Sequence, residues 1–189
     1  MIAIMSEVFA SLFEDAEQRP LDAGAWLFHA GDPVRYMYYI IEGAVDLTRV
    51  TTAGAAIVLQ KARAGQFLAE ASAYSPTYHC DARALTAATI HAVPVAHFRE
   101  RLAKDPALSE AWAALLANAV QAARFRAEIR TLRTVAERLD AWLGEGHALP
   151  ARGAWQDLAA ELGVSREGLY RELSRRRQDD AGAVVSREV

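Results

Sequence analysis

The 189-residue chain has a single cysteine, Cys80, which excludes an internal disulfide and any iron–sulfur or zinc site built on several cysteines. No apolar run approaches the ~20 residues that a membrane-spanning helix needs. The amino-terminal stretch MIAIMSEVFASLFEDAEQRP has no basic leader and mixes acids among its apolar residues. It reads as an amphipathic helix, not a signal peptide, and the expected location is the cytoplasm. Metal ligands are also scarce. His29, His79, His91, His97 and His147 include no His-x-His pair with a following glutamate, so no converging metal set is expected. With no nucleophile–base arrangement and no glycine-rich phosphate loop either, an enzyme is not expected. Internal repeats and low-complexity segments are absent. The net charge of −3 argues against a general binder of polyanions.

What remains is 52% hydrophobic, enough for one moderate domain and a small one. From Leu21 to Pro94 the pattern is short and strand-like. Turns are expected at Ala30–Asp32, Glu42–Gly43, Thr51–Gly54 and Ala64–Gly65. Between them lie the β-rich pieces Trp26–Phe28, Tyr36–Ile41, Val45–Val50, Ile57–Leu59 and Ala82–Val93. Short strands at regular turn spacing predict a sandwich or barrel. From Pro106 the pattern turns helical, with Leu108, Trp112, Leu115, Leu116, Ala119 and Val120 at helical spacing. Thr134 is the expected N-cap of a second helix carrying Val135, Leu139, Trp142 and Leu143. Along the first helix, Leu108, Trp112, Leu115, Ala119 and Ala122 form a seam read as a homodimer contact, the alternative being packing on the chain's own barrel.

The most telling segment is Trp155–Arg177, WQDLAAELGVSREGLYRELSRRR. Leu158, Ala159 and Leu162 put an apolar stripe on a first short helix, and Gly163 supplies the positive φ at which a helix stops. Val164 plugs the corner, Ser165 caps the next helix, and Glu167 suits its first turn. Leu169 and Leu173 bury one face of that helix. Arg166, Glu167, Tyr170, Arg171, Ser174, Arg175 and Arg177 are left on other faces. This is the form of a DNA-reading helix-turn-helix, in which arginine can make paired hydrogen bonds to guanine and glutamate can accept one from cytosine, the alternative on pattern alone being a plain helical pair. Between Arg124 and Arg177 eleven arginines face eight acids, a net of +3 in a chain of −3. A basic segment on an otherwise acidic protein suits a phosphate-facing end.

In this order the parts resemble the catabolite activator family, the CRP/FNR-type transcription regulators, over nearly the whole chain. LFHAGDPVRYMYYIIEGAVDLTRV (Leu27–Val50) is similar to the family's first barrel strands, and AGQFLAEAS (Ala64–Ser72) to the start of its ligand cassette. ERLDAWL (Glu137–Leu143) resembles the helix entering the DNA domain, and WQDLAAELGVSREGLYREL its helix-turn-helix. The resemblance implies an α+β chain in three parts: a cyclic-nucleotide-binding-like β jelly roll over 1–105, a dimerisation helix over 106–133, and a DNA-binding domain over 134–189. It implies a cytoplasmic homodimer that reads a near-palindromic site on double-stranded DNA, with RNA polymerase as a further partner and no membrane. Ser165, Arg166, Glu167, Tyr170, Arg171 and Arg175 are the DNA-binding residues so implied.

The ligand residues implied in the same way are Gly65, Glu70, Ala71, Tyr78, His79 and Arg124, and here the chain departs from the family's pattern. Relatives that bind cyclic AMP pair a glutamate for the ribose with an Arg-Ser or Arg-Thr pair for the cyclic phosphate. Glu70 matches the glutamate, but Tyr78 and His79 stand where the pair is expected. Without the arginine's charged fork the phosphate loses its best partner, so cyclic AMP is not the expected ligand. The cysteine count rules out the iron–sulfur mode. Haem or redox sensing through His79 or Cys80 is an alternative, and a ligand-binding module without DNA activity is another. As strand neighbours, His79 and Cys80 would face opposite sides. After the second helix, only Gln178–Val189 remains, with room for one short strand at Ala183–Ser186, so a reduced wing is expected.

Overall fold

The computed structural model describes residues 8–50 and 56–185, and the chain divides into two compact units, Met1–Leu116 and Ala117–Val189. The expected turn at Thr51–Gly54 lies outside the described residues.

The first unit is built from period-two side-chain alternation. β3 (Tyr36–Glu42) and β8 (Ala88–Pro94) pair antiparallel, with Ile40 opposite Ile90 and Met37 opposite Val93. Successive side chains of a strand point to opposite faces. Tyr38, Ile40, Ile90 and Ala92 therefore enter one core, while Met37 and Val93 enter another. β1 (Glu17–Leu21) and β6 (Phe67–Leu68) complete this sheet in the order β1-β8-β3-β6. The second sheet has the order β2-β7-β4-β5, from β2 (Trp26–Phe28), β4 (Ala44–Val50), β5 (Ala56–Arg63) and β7 (Asp81–Ala84).

Phe28, Val45, Leu47, Leu68 and Ala82 join Tyr38, Ile40 and Ile90 in the core between the sheets. On the outer face of the first sheet, Phe9, Leu12, Phe13 and Phe67 pack with Phe98 and Leu102 of α1 (Val95–Lys104) and with Leu108 and Trp112 of α2 (Pro106–Thr131). Each fully buried side chain of this size stabilises by about 1.5–3 kcal/mol. Gly43 makes the β3–β4 turn at φ +80°, where a β-carbon would strike the Ala87 carbonyl oxygen. Only glycine fits.

The second unit is helical: the end of α2, then α3 (Val135–Gly144), α4 (Trp155–Leu162) and α5 (Arg166–Val185). Its core joins Ile129, Leu139, Trp142, Trp155, Leu158, Leu162, Leu169 and Leu173. Thr134 caps α3 with a full capping box. Its hydroxyl accepts from the Glu137 amide at 3.1 Å while the Glu137 carboxylate accepts from the Thr134 amide at 2.9 Å. Those bonds hold the Glu137 carboxyl below the usual carboxylate range.

Several expectations are corrected. The amino-terminal stretch is not one amphipathic helix: Ala10–Phe13 is a single 3₁₀ turn and Glu17–Leu21 a strand, while residues 1–7 lie outside the described part. Pro20 lacks the amide a helix interior needs, and Arg19 and Leu21 pair with β8 instead. Ala82–Val93 is two strands in different sheets, because Leu85–Ala87 turns the chain. The Leu85 amide donates to the Ala44 carbonyl at 2.8 Å, and the Ala44 amide donates to the Thr86 hydroxyl at 3.1 Å. Two seam positions, Leu108 and Trp112, are buried in the first unit's own core, and Leu115 packs against it. Of the other seam positions, Ala119 is half-buried and Ala122 exposed, and Ala117, Val120 and Ala123 of the same helix are exposed as well. Where a wing strand was expected, α5 runs on through Val185, with Arg175 bonded to Asp179 one turn ahead at 2.7 Å. Ser186 lies outside the described residues.

Candidate functional site

Gly163 ends α4 at φ +65°, and the Val164 amide returns to the Ala159 carbonyl at 2.9 Å, so the chain turns within three residues. The first helix of the pair stops because a left-handed residue cannot continue it. The turn is fastened from outside by Arg138 of α3. Its Nη1 donates to the Leu162 and Gly163 carbonyls at 3.1 and 2.8 Å, its Nε to Leu132 at 2.9 Å, and its Nη2 to Arg130 at 3.1 Å. These carbonyls close the ends of two helices, where backbone acceptors lack intrahelical partners.

The Ser165 hydroxyl accepts from the Gly168 amide at 3.0 Å and so caps α5. Gly168 belongs to that cap. A β-carbon there would press within 3.1 Å of the Ser165 hydroxyl.

Ser165, Arg166, Glu167 and Arg171 are exposed, and Tyr170 is half-buried. Arg166 lies over the Tyr170 ring at 5.2 Å, and Tyr170 stands edge-on to Trp155 at 4.9 Å. Neither Arg166 nor Arg171 is ion-paired among the described residues. Arg175 differs. Glu172 holds it at 2.7 Å and Asp179 at 2.7 Å. Arg176 bonds Glu172 at 2.7 Å and Asp140 of α3 at 2.6 Å, which ties the exposed helix to its support. Between two guanidinium groups, the Glu172 carboxyl is held down to about 2.

Trp155 gathers two further cations: Arg152 lies 5.9 Å and Arg177 5.5 Å from its ring centroid. Neither is paired with a carboxylate among the described residues. Arg177 also donates to the Leu173 carbonyl at 3.2 Å. Arg152 carried no motif signal. Its spacing three before Trp155, across a 3₁₀ turn, was the one available hint.

In the first unit the cassette residues differ in their settings. Gly65 makes the turn before β6 at φ +85°, its amide donating to the Ile40 carbonyl at 2.9 Å. Glu70 is half-buried and accepts from Gln60 Nε2 at 3.3 Å, while Ala71 is exposed. Before Glu70, Ala69 holds a left-handed φ of +57°, a strained conformation for a residue with a β-carbon. His79 is exposed with Nε2 at 3.1 Å from the Ser75 hydroxyl, and its carbonyl accepts from Arg49 at 3.1 Å. Cys80 is buried in the core between the sheets, where burial pushes its thiol up and disfavours the reactive thiolate.

Tyr78 is also a core residue. Its ring stacks on Phe28 at 3.7 Å and its hydroxyl donates to the Tyr36 carbonyl at 2.7 Å. Arg124 is exposed in the second unit. Among the described residues, no cluster of three or more His, Cys, Asp or Glu could hold a metal, and no helix is long and apolar enough to cross a membrane.

Residues 18–105 match the family of cyclic nucleotide-binding domains, and the antiparallel jelly roll followed by helices is typical of such domains. No curated protein sequence matches the chain significantly. Among solved structures, FixK2 from Bradyrhizobium japonicum is 18% identical with a TM-score of 0.68, over 87% of this chain and 86% of that one. CLP, a c-di-GMP responsive global regulator from Xanthomonas campestris, is 22% identical with a TM-score of 0.63, over 94% and 93%. The catabolite activator protein of Thermus thermophilus is 22% identical with a TM-score of 0.55, over 92% and 84%. At these identities the likeness is one of fold.

Proposed function

We propose that this chain is a dimeric, sequence-specific DNA-binding transcription regulator of the CRP/FNR type. Its sensory jelly roll spans 1–105, its dimerisation helix 106–133 and its helix-turn-helix domain 134–189. The observation that carries the reading is the free charge on α5. Arg166 and Arg171 are exposed without ion-pair partners among the described residues, beside Glu167, on a helix whose N-terminus is capped and whose other face is buried. Further along the same helix, Arg175 and Arg176 are held by acids instead.

Arg166, Glu167 and Arg171 read base edges in the major groove, Ser165 meets a phosphate, and Tyr170 steadies Arg166. Arg175 supports the helix. Arg152 and Arg177 sit at the rim and contact the phosphate backbone. Two copies meet along the exposed Ala117, Val120 and Ala123 of the long helix and present paired half-sites about one helical turn apart. RNA polymerase is the partner through which the bound dimer acts. The effector is not cyclic AMP, because the position matched to the phosphate-binding arginine holds the buried Tyr78 phenol.

Selection of bound sites from random duplex DNA tests this. The purified chain should enrich a near-palindromic motif, and Arg166→Ala with Arg171→Ala should abolish the enrichment. A wild-type protein without sequence preference, or a double variant that selects the same motif, would overturn the reading in favour of a module without specific DNA binding.

A further inference from the structure

Leu169 and Leu173 begin an apolar stripe along α5, and the next position of that stripe, at helical spacing, is Arg176. Its side chain is half-buried, and every nitrogen of the guanidinium is engaged. Nε donates to Glu172 on its own helix at 2.7 Å. Nη1 donates to Asp140 of α3 at 2.6 Å, and Nη2 to the Ala136 carbonyl of α3 at 3.2 Å. A planar fork filled in this way fixes direction as well as distance. Arg175 shares Glu172 with it but is held otherwise, since its second acid, Asp179, also belongs to α5. Of this pair of arginines, Arg176 is the one bonded to another helix.

α5 also meets α3 near its own start, where a β-carbon on Gly168 would lie 3.6 Å from Val135 Cγ2. The two attachments, at Gly168 and Arg176, stand about 12 Å apart along the helix axis. The burial of Leu169 and Leu173 between them holds α5 down, but apolar contact is non-directional and does not fix a tilt. A second, directional attachment does. Arg166 and Arg171 stand on either side of the Gly168 contact, so the tilt set at Arg176 decides where both of them point.

We propose that Arg176 is a positioning residue for DNA reading: its bonds to Asp140 and Ala136 set the tilt of α5 that aims Arg166 and Arg171 at base edges. The inference rests on the DNA-reading proposal above. A binding constellation must be held within ~0.5 Å and about 10–20° of its productive geometry. Phosphate contacts carry no sequence information, and long cationic side chains can follow a phosphate through a small swing. Loosening α5 therefore costs selectivity and spares general affinity for DNA.

The test compares affinity for the selected motif with affinity for a scrambled duplex of equal length, each over a range of salt. Arg176→Met keeps the stem and removes the fork. It should weaken the selected motif about tenfold or more, leave the scrambled duplex within about twofold, and keep the slope of log affinity against log salt. Arg176→Lys should recover part of the loss. Arg175→Met removes the same charge from the same helix without cutting a bond to α3, and should keep the parent's ratio of the two affinities. Asp140→Asn, at an exposed position where the fold is not at stake, should lower the ratio in the same direction and add little once Arg176→Met is present. Circular dichroism melts verify that each variant is folded. An unchanged ratio in both Arg176→Met and Asp140→Asn, an equal fall in Arg175→Met, or a reduced salt slope in Arg176→Met would each overturn the assignment. A parent that selects a motif beside variants with an unchanged ratio sinks this inference alone. A parent without sequence preference sinks the DNA-reading proposal and this inference with it.

Discussion

Arg138 Nη1 donates to the Gly163 carbonyl at 2.8 Å, which joins the start of the second unit's support helix to the turn between α4 and α5. The same guanidinium reaches carbonyls at the end of α2. Arg138→Ala would strand acceptors at two helix ends. It should destabilise the second unit by roughly 2–4 kcal/mol. Arg138→Lys should recover less than half, because an ammonium cannot span the fork. Urea unfolding of parent and variant, followed by tryptophan fluorescence, measures this, and a loss under ~0.5 kcal/mol would contradict the clamp.

The arginines of α5 should separate into two groups. Arg166→Ala or Arg171→Ala should each cost about 1–3 kcal/mol of discrimination at one base position of the selected site. Arg175→Ala should leave the preferred sequence unchanged, because its guanidinium is held by Glu172 and Asp179. Competition binding with single-base variants of the site would show the split. An altered sequence preference in Arg175→Ala would contradict it.

Arg152 and Arg177, both over Trp155, should behave differently again. Removing either should weaken binding by a similar factor on every sequence and lower the salt dependence of affinity by about one phosphate contact. The slope of log affinity against log salt, taken for parent and variants, tests this. An unchanged slope would exclude backbone contact.

Glu172 links acidity to the same helix. Its carboxyl is held down to about 2 when folded, against ~4.3 in an unfolded chain. Its contribution is therefore fully present above about pH 4.5 and is lost as the pH falls through about 2. Glu172→Gln should lower stability at pH 6, and the gap to the parent should narrow below about pH 4.5 and close only at about pH 1.5. Denaturation midpoints across that range decide the matter, and a constant gap would mean the ion pairs carry none of it.

Legibility in the sequence followed the range of the physics involved. The α4 stripe of Leu158 and Leu162, the stop at Gly163 and the cap at Ser165 are local, and each stands where spacing put it. The capping box at Thr134 and Glu137 is equally local. The break at Leu85–Ala87 was hidden, because alanine and threonine carry no turn signal and the bonds that bend the chain come from distant Ala44. β1 escaped for a related reason, since its polar sequence is a strand only through pairing with β8. Helical spacing located the apolar residues of α2 but not their partner. Leu108 and Trp112 face the chain's own sheet, and the exposed alanines that follow gave a weaker pattern.

The solitary cysteine gives the barrel a clock. Cys80 sits at 6% exposure in the core between the sheets, with its thiol pushed up by burial. A disulfide reagent can reach it only when the first unit opens. The labelling rate at rising denaturant therefore reports that unit's opening free energy on its own. Since the chain carries no second thiol, events in the helical unit add no signal.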